Sequence, residues 1–337
     1  MSVSGAPVQT VRERPAKALA ARLRSVSLAT SMPYVYVVVL GFVIYLLSPE
    51  IINGPGAVDV RFSAAVPLAF VAFGQTLAMF TRGIDLAVGG LISTVTAILA
   101  TTAADSWGTL VLLLVALVAL GAVAGLINGV AIALTGLQPF IVTLATWSIW
   151  GGVALLILPQ EGGAAPVDLT TLVLGNIVGI PKSVWIFVVL FALWLWLRDT
   201  RLVGDLRAIG SDEARARLIG VPIRRRKVQC YMLSGIFAAL AGIWIAGQTG
   251  SGAPNAGDPF ILSSVAAVVI GGTSIFGGTG SAAASIAGAL AFLMIPDLIS
   301  AVELSSFWSV FFQGALLIVA VTASSIAMQL RARRSGS

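Results

Sequence analysis

Ten stretches of mostly apolar residues divide this chain, near 34–50, 61–81, 84–104, 108–136, 138–159, 182–198, 228–248, 259–276, 279–298 and 304–326. Each approaches the roughly 20 residues that a helix needs to cross a bilayer. Lipid offers no hydrogen bonds, so a segment that crosses it must satisfy its own backbone, and an α-helix does so within one segment. Composition points the same way. Of 337 residues 58% are hydrophobic and only 10% charged, whereas a soluble domain carries about 25% charged residues. Mean hydropathy is +1.00. The reading is an all-α, polytopic membrane protein with about ten transmembrane helices. Stretches 84–104 and 259–298 are rich in Gly and small residues, which leaves broken or re-entrant helices open there.

Charge placement orients these stretches, because Lys and Arg near span ends are retained on the cytoplasmic side. Arg12, Arg14, Lys17, Arg22 and Arg24 precede the first stretch, nine more basic residues lie in 198–227, and Arg331, Arg333 and Arg334 close the chain. These are 17 of the 20 Lys and Arg residues. Ten crossings put all three segments on one side, with both termini cytoplasmic. The chain thus divides into a basic tail 1–33, a transmembrane domain 34–326 with a cytoplasmic loop at 199–227, and a basic tail 327–337. A sequence pI near 10.1 is then a signal of topology, and nucleic acid is not an expected partner.

Catalysis is not expected of this chain. It has no His and a single cysteine, Cys230, so a Ser-His-Asp triad, a His-ligated metal, a Cys-based zinc site and a disulfide framework are all excluded. Gly272-Thr273-Ser274-Ile275-Phe276-Gly277-Gly278-Thr279 imitates the spacing of a phosphate-binding loop, but Gly278 stands where the phosphate-binding Lys belongs. It reads as close helix packing or a helix break. No cofactor is expected.

Four patterns stand out. Gly74-Gln75-Thr76-Leu77 is followed by Thr81-Arg82-Gly83-Ile84-Asp85-Leu86-Ala87-Val88-Gly89-Gly90. Glycines around a lone acid end one helix and leave Asp85 at the start of the next, where its carboxylate can cap free N–H groups. A structural cap and a gating role for Gly83, Asp85 and Gly89 both remain open. Gly121, Gly125 and Gly129 recur every fourth residue and permit close helix approach. Thr143, Thr146, Trp147 and Trp150 fall on one helical stripe. That stripe suits either helix packing or a sugar, which takes hydrogen bonds and a flat apolar surface; Gln75, Asn128 and Gln248 are further polar groups of the same path. Finally, 211–220 reads as a short capped helix with Ser211 and Asp212 opening it, Gly220 closing it and Pro222 following.

These blocks, in this order, resemble the permease subunits of bacterial ABC importers for simple sugars, the ribose-permease family. The resemblance covers 74–90, Asn128-Gly129, Pro139 to Leu144, Thr200 to Gly220, Val265 to Ser274 and Gly277 to Ser281. It departs at Ile261 and Ser263, where family members commonly carry an acidic pair, and at Gly151, where a basic residue is frequent. The resemblance implies a multi-pass protein of the bacterial inner membrane that translocates a monosaccharide or similar small polar solute. Its partners would be cytoplasmic ATP-binding subunits, a periplasmic or lipid-anchored solute-binding protein, and a second permease subunit, the same or paralogous. The resemblance places the ATPase-coupling helix at Glu213, Ala214, Arg215, Leu218, Ile219 and Gly220. Alternatives are a permease for autoinducer-2, nucleosides or branched-chain amino acids, and, from another class, an ion-coupled secondary transporter. The latter ordinarily needs ionisable residues at mid-membrane, and these stretches supply almost none.

The topology is checked by tagging both termini and placing a Cys reporter near 210. All three are expected to react only from the cytoplasm; labelling any of them from outside intact cells would overturn the ten-crossing arrangement.

Overall fold

The computed structural model describes residues 28–54, 56–305, 307–316, 318, 319 and 322. The basic residues of 12–24 and Arg331, Arg333 and Arg334 lie outside the described residues. In chain order the helices are α1 (Leu28–Leu47), α2 (Pro49–Asn53), α3 (Ala57–Phe80), α4 (Ala87–Thr101), α5 (Trp107–Thr135), α6 (Pro139–Ile157) and α7 (Val167–Val173). There follow α8 (Lys182–Leu197), α9 (Arg201–Ser211), α10 (Glu213–Leu218), α11 (Ile223–Thr249), α12 (Asp258–Ile270), α13 (Ala282–Ala301) and α14 (Phe307–Leu316). Helices α3, α5, α6, α11 and α13 are long and apolar enough to cross a membrane, and α1, α4, α8, α12 and α14 are shorter apolar helices. Each matches one of the ten stretches.

The boundaries are corrected in three places. Helix α1 already runs from Leu28, inside the segment read as tail. The fourth helix starts at Ala87 rather than 84. Stretches 259–276 and 279–298 are separated by a non-helical connection from Gly271 to Ser281. Positive φ at Gly272, Gly277, Gly278 and Gly280 shows why no helix continues through it. The false phosphate-binding loop is therefore a helix break.

Helix α3 is the axis of the core: every residue from Ala65 to Phe80 is buried. A helix apolar on all sides belongs in the centre of a bundle or in lipid, and α3 is surrounded by α11, α13, α12 and α8. Helices α5 and α6 are equally apolar but largely uncovered, α6 burying only Val142, Thr143 and Ala154. Side chains such as Leu112 and Leu156 point outward. In water this would be an aggregation surface; in lipid it is the solvated face.

Helix α11 crosses α5 at the glycine repeat. A Cβ at Gly121 would collide with Gly235 O, one at Gly125 with Tyr231 O, and one at Gly129 with Val228 Cα. Backbone-to-backbone approach of this kind maximises dispersion contact where no hydrophobic force pulls helices together.

The two ends of α3 differ. At its start, Arg61 Nε pairs with Asp297 at 2.6 Å and Asp59 accepts from Ser183 Oγ at 3.1 Å. At its other end, Gly278 N donates to Phe80 O at 3.1 Å, and Arg82 meets the end of α9. Near the start of α8, Asn176–Ile177 (β1) and Ile180–Pro181 (β2) form a small antiparallel hairpin whose turn residues Val178 and Gly179 have φ of 52° and 76°. Positive φ at both central residues gives the turn twist that tight hairpins favour.

Substituting Gly125 by Val is expected to lower the thermal midpoint in detergent, because overpacking a tight contact costs about 1–3 kcal/mol. Gly152→Ala, where a Cβ meets only open space, is expected to leave the midpoint unchanged or raise it; equal effects of the two would remove the crossing from the stabilising contacts.

Candidate functional site

The chain leaves α3 through a six-residue break, 81–86, before α4 begins. Backbone groups released there are recovered by side chains from elsewhere. Asp85 N donates to Gln75 Oε1 at 3.3 Å, and Thr143 Oγ1 lies 3.1 Å from Ile84 O. Asp85 Oδ1 accepts from Ala87 N at 3.1 Å, so the acid does cap the first turn of α4. Gly83 allows the Tyr231 hydroxyl to sit against its Cα, leaving no room for a side chain. Gly89 makes similar room for Ile261 and Gly257 at the start of α12.

Asp85 is 1% exposed, and no Lys or Arg among the described residues pairs with it. A small enclosed cavity beside it is lined by Val88, Leu91, Asn128, Trp150 and Gly235. The Ser234 hydroxyl lies beside the carboxylate without meeting hydrogen-bond geometry. Gln75 Nε2, Asn128 Oδ1 and Tyr231 Oη are likewise buried without hydrogen-bond partners among the described groups. Each such group costs about 1–3 kcal/mol, and a core selected for stability alone would have replaced them. These polar groups gather around the helix break.

The structure therefore brings Gln75, Asp85, Asn128 and Trp150 together, with Thr143 at the edge of the group. It separates the rest of the stripe. Thr146 Oγ1 turns back to Val142 O and Thr143 O at 3.2 Å each, and Trp147 is half-buried. Their helix is held to α4 through Gly90, which lies against Trp147 O, and through Thr94 Oγ1, 2.8 Å from Trp150 O. Gln248 does not join them. It lies thirteen residues beyond Gly235 on α11, about 20 Å at 1.5 Å per residue, next to the turn at Gly250.

At the end of α8 the chain turns into two short helices, α9 and α10. The segment read as one helix over 211–220 is shorter: Ser211 ends α9, and α10 runs from Glu213 to Leu218. Asp212 caps it, accepting from Arg215 N at 3.0 Å, and Gly220 leaves it at φ 81°. Glu213 is tied to Lys227 at 2.8 Å and lies 3.6 Å from Arg217. Ala216 faces inward onto Ile209 and Ile223, while Ala214 and Arg215 face out. Leu218 is 87% and Ile219 75% exposed.

Helix α9 was not anticipated, although Val203, Leu206, Ile209 and Gly210, its buried face, recur at helical spacing. Two arginines were also missed. Arg207 Nη2 donates to Gly280 O at 2.7 Å with its guanidinium 5.0 Å from the Phe80 ring centre, and burial lowers its pKa, Asp199 opposing. Arg82 Nε donates to Gly210 O at 2.6 Å and Nη2 to Ser211 O at 2.7 Å. No periodicity announces either one, since both partners lie far away in the chain.

Comparison with known proteins gives these elements a context. A family model described as "Branched-chain amino acid transport system / permease component" matches residues 61–321. The chain is 34% identical over 259 residues to a ribose import permease protein of Escherichia coli K12, covering 75% of this chain and 80% of the relative. It is 28% identical over 298 residues to a ribose import permease protein of Haemophilus influenzae, covering 87% and 92%. It is 30% identical over 281 residues to a D-allose transport system permease protein of E. coli K12, covering 82% and 85%. With the family match spanning the break at Asp85, the glycine crossing and helices α9 and α10, the chain belongs to the branched-chain amino acid transport system / permease component family, as a multi-pass protein of the membrane.

Proposed function

We propose that this chain is the translocation subunit of an ATP-driven importer for a monosaccharide or a similar small polar solute. The ribose and D-allose permeases among its relatives support the solute class. An autoinducer 2 import permease that is 30% identical over 281 residues, and the family's own description, keep autoinducer-2 and branched-chain amino acids as rivals. A ligand screen on the cognate solute-binding protein separates them: binding of a pentose or hexose supports the sugar, and binding of only a branched-chain amino acid overturns it.

The observation that carries the ATP-driven part is α10. A helix of six residues is far too short to persist alone, yet this one is capped, ion-paired and packed at Ala216. Leu218 and Ile219 stand exposed at its end. Two exposed apolar side chains on a rigid charged helix form an anchor for a cleft on an ATPase, the charges fixing orientation at the rim. Nucleotide-driven motion of that ATPase would reach the solute path through the break at 81–86. The path itself would lie where two permease subunits meet, along the half-buried Thr146 and Trp147 of the largely uncovered α6, with Gly151 and Gly152 leaving space beside them. The solute-binding protein would deliver from the outer side.

Replacing Leu218 and Ile219 together by Ala is expected to abolish co-purification of the ATPase and solute-stimulated ATP hydrolysis in reconstituted vesicles. A merely solvated loop predicts no change, since surface truncations act within about 0.5 kcal/mol. Trp147→Ala is expected to lower uptake while leaving ATPase association intact. Unchanged uptake kinetics would return that face of α6 to helix packing.

A further inference from the structure

We propose that Arg82 is the positioning residue through which the docking helix α10 acts on the α3–α4 break. The proposal rests on the reading of α10 as the docking element. The last carbonyls of a helix have no partner within it. In α9 two of these, Gly210 O and Ser211 O, receive Arg82 Nε and Nη2 at 2.6 and 2.7 Å. A guanidinium suits this place because its fork of donors meets two acceptors at once, and its charge complements the negative end of the helix dipole. The next residue, Asp212, caps α10. Arg82 therefore grips the one-residue joint from which the docking helix projects.

The other end of the same residue is the break. Arg82 is one of three non-glycine residues among those described with positive φ, at 63°. Such a conformation persists only where the surroundings impose it. Here they do. A Cβ at Gly210 would strike Phe80 O, Gly278 N donates to Phe80 O, and Gly277 lies against the Arg82 Cγ. Three residues further on, Asp85 begins the polar group around Gln75, Asn128 and Trp150. A displacement of the α9–α10 joint is thus carried by two charge-assisted hydrogen bonds into the strained turn whose far end holds Asp85. Arg207, which also reaches from α9, lies over the Phe80 ring and bonds to Gly280 O, with no hydrogen bond to residues 81–86 among those described.

Arg82→Gly tests this in the assembled transporter, because glycine accepts the left-handed conformation and removes only the side chain. The variant is expected to co-purify with the ATPase and keep basal ATP hydrolysis. Solute-stimulated hydrolysis and uptake should fall by at least about tenfold, the effect of losing one hydrogen bond from a charged donor. Arg82→Lys, which keeps the charge and one reachable donor, should restore part of both. Wild-type uptake in Arg82→Gly would overturn the proposal, as would loss of ATPase association, since Arg82 would then only hold α10 in place. Hydrogen exchange on the wild-type complex is an independent arm: ATP binding should change exchange in 81–87 and 208–213 together, and a change confined to 208–213 would overturn the link. If Leu218→Ala/Ile219→Ala retains the ATPase, the docking reading fails whatever Arg82 does, so the two failures are distinguishable.

Discussion

Lipid supplies no hydrogen bonds, and that constraint shapes the break at 81–86 and the irregular approach to α12. Where α3 ends and α4 begins, the freed backbone groups are met by Gln75, by Thr143 and by the Asp85 carboxylate. The irregular approach to α12 is handled in the same way: Thr96 Oγ1 donates to Ala253 O at 3.1 Å and Gly257 N to Ser93 Oγ at 3.0 Å. Non-helical backbone is tolerated because α4 lies alongside and lends its hydroxyls. Polar side chains in these helices are therefore first of all a means of breaking a helix safely.

The break at 81–86 goes further than safety requires. One bond to Ala87 N would cap α4, yet the acid is surrounded by amide and hydroxyl groups from α3, α5 and α11 that lack partners. An arrangement with several uncommitted donors and acceptors can exchange partners at small cost, whereas a close-packed apolar core resists sliding. The glycine crossing of α5 and α11 beside it provides the complementary property, a rigid backbone contact that changes only as a unit.

Helices α9 and α10 meet that break without an intervening domain. Helix α9 packs its Val203–Leu206–Ile209 face onto the bundle and hands the chain to α10 across Asp212. Phe80, Gly210 and Gly278 touch backbone to backbone at the same point. In a protein whose connections are this short, coupling between an external partner and the membrane interior needs only a few residues. It also leaves little slack, because neighbouring backbones there are already in contact.

Much of this was legible in the sequence. Apolar runs near 20 residues, the glycine repeat at 121–129 and the Gly83–Asp85 break are local patterns, and local patterns report local structure. The Asp85 cap spans two residues and needs no knowledge of the fold. The outlines of α10 were also visible, because Asp212 and Gly220 are adjacent signals of start and stop. What the tertiary structure alone decided are the meetings between distant segments. Arg82 reaches carbonyls 128 and 129 residues away, Thr143 turns to Ile84, and Trp150 and Asn128, from two different helices, share a cavity with Asp85 of the break. Gln248, equal to Gln75 as a polar residue in an apolar stretch, falls a helix length away. Periodicity tells which face of a helix a residue occupies, but only packing determines what that face meets.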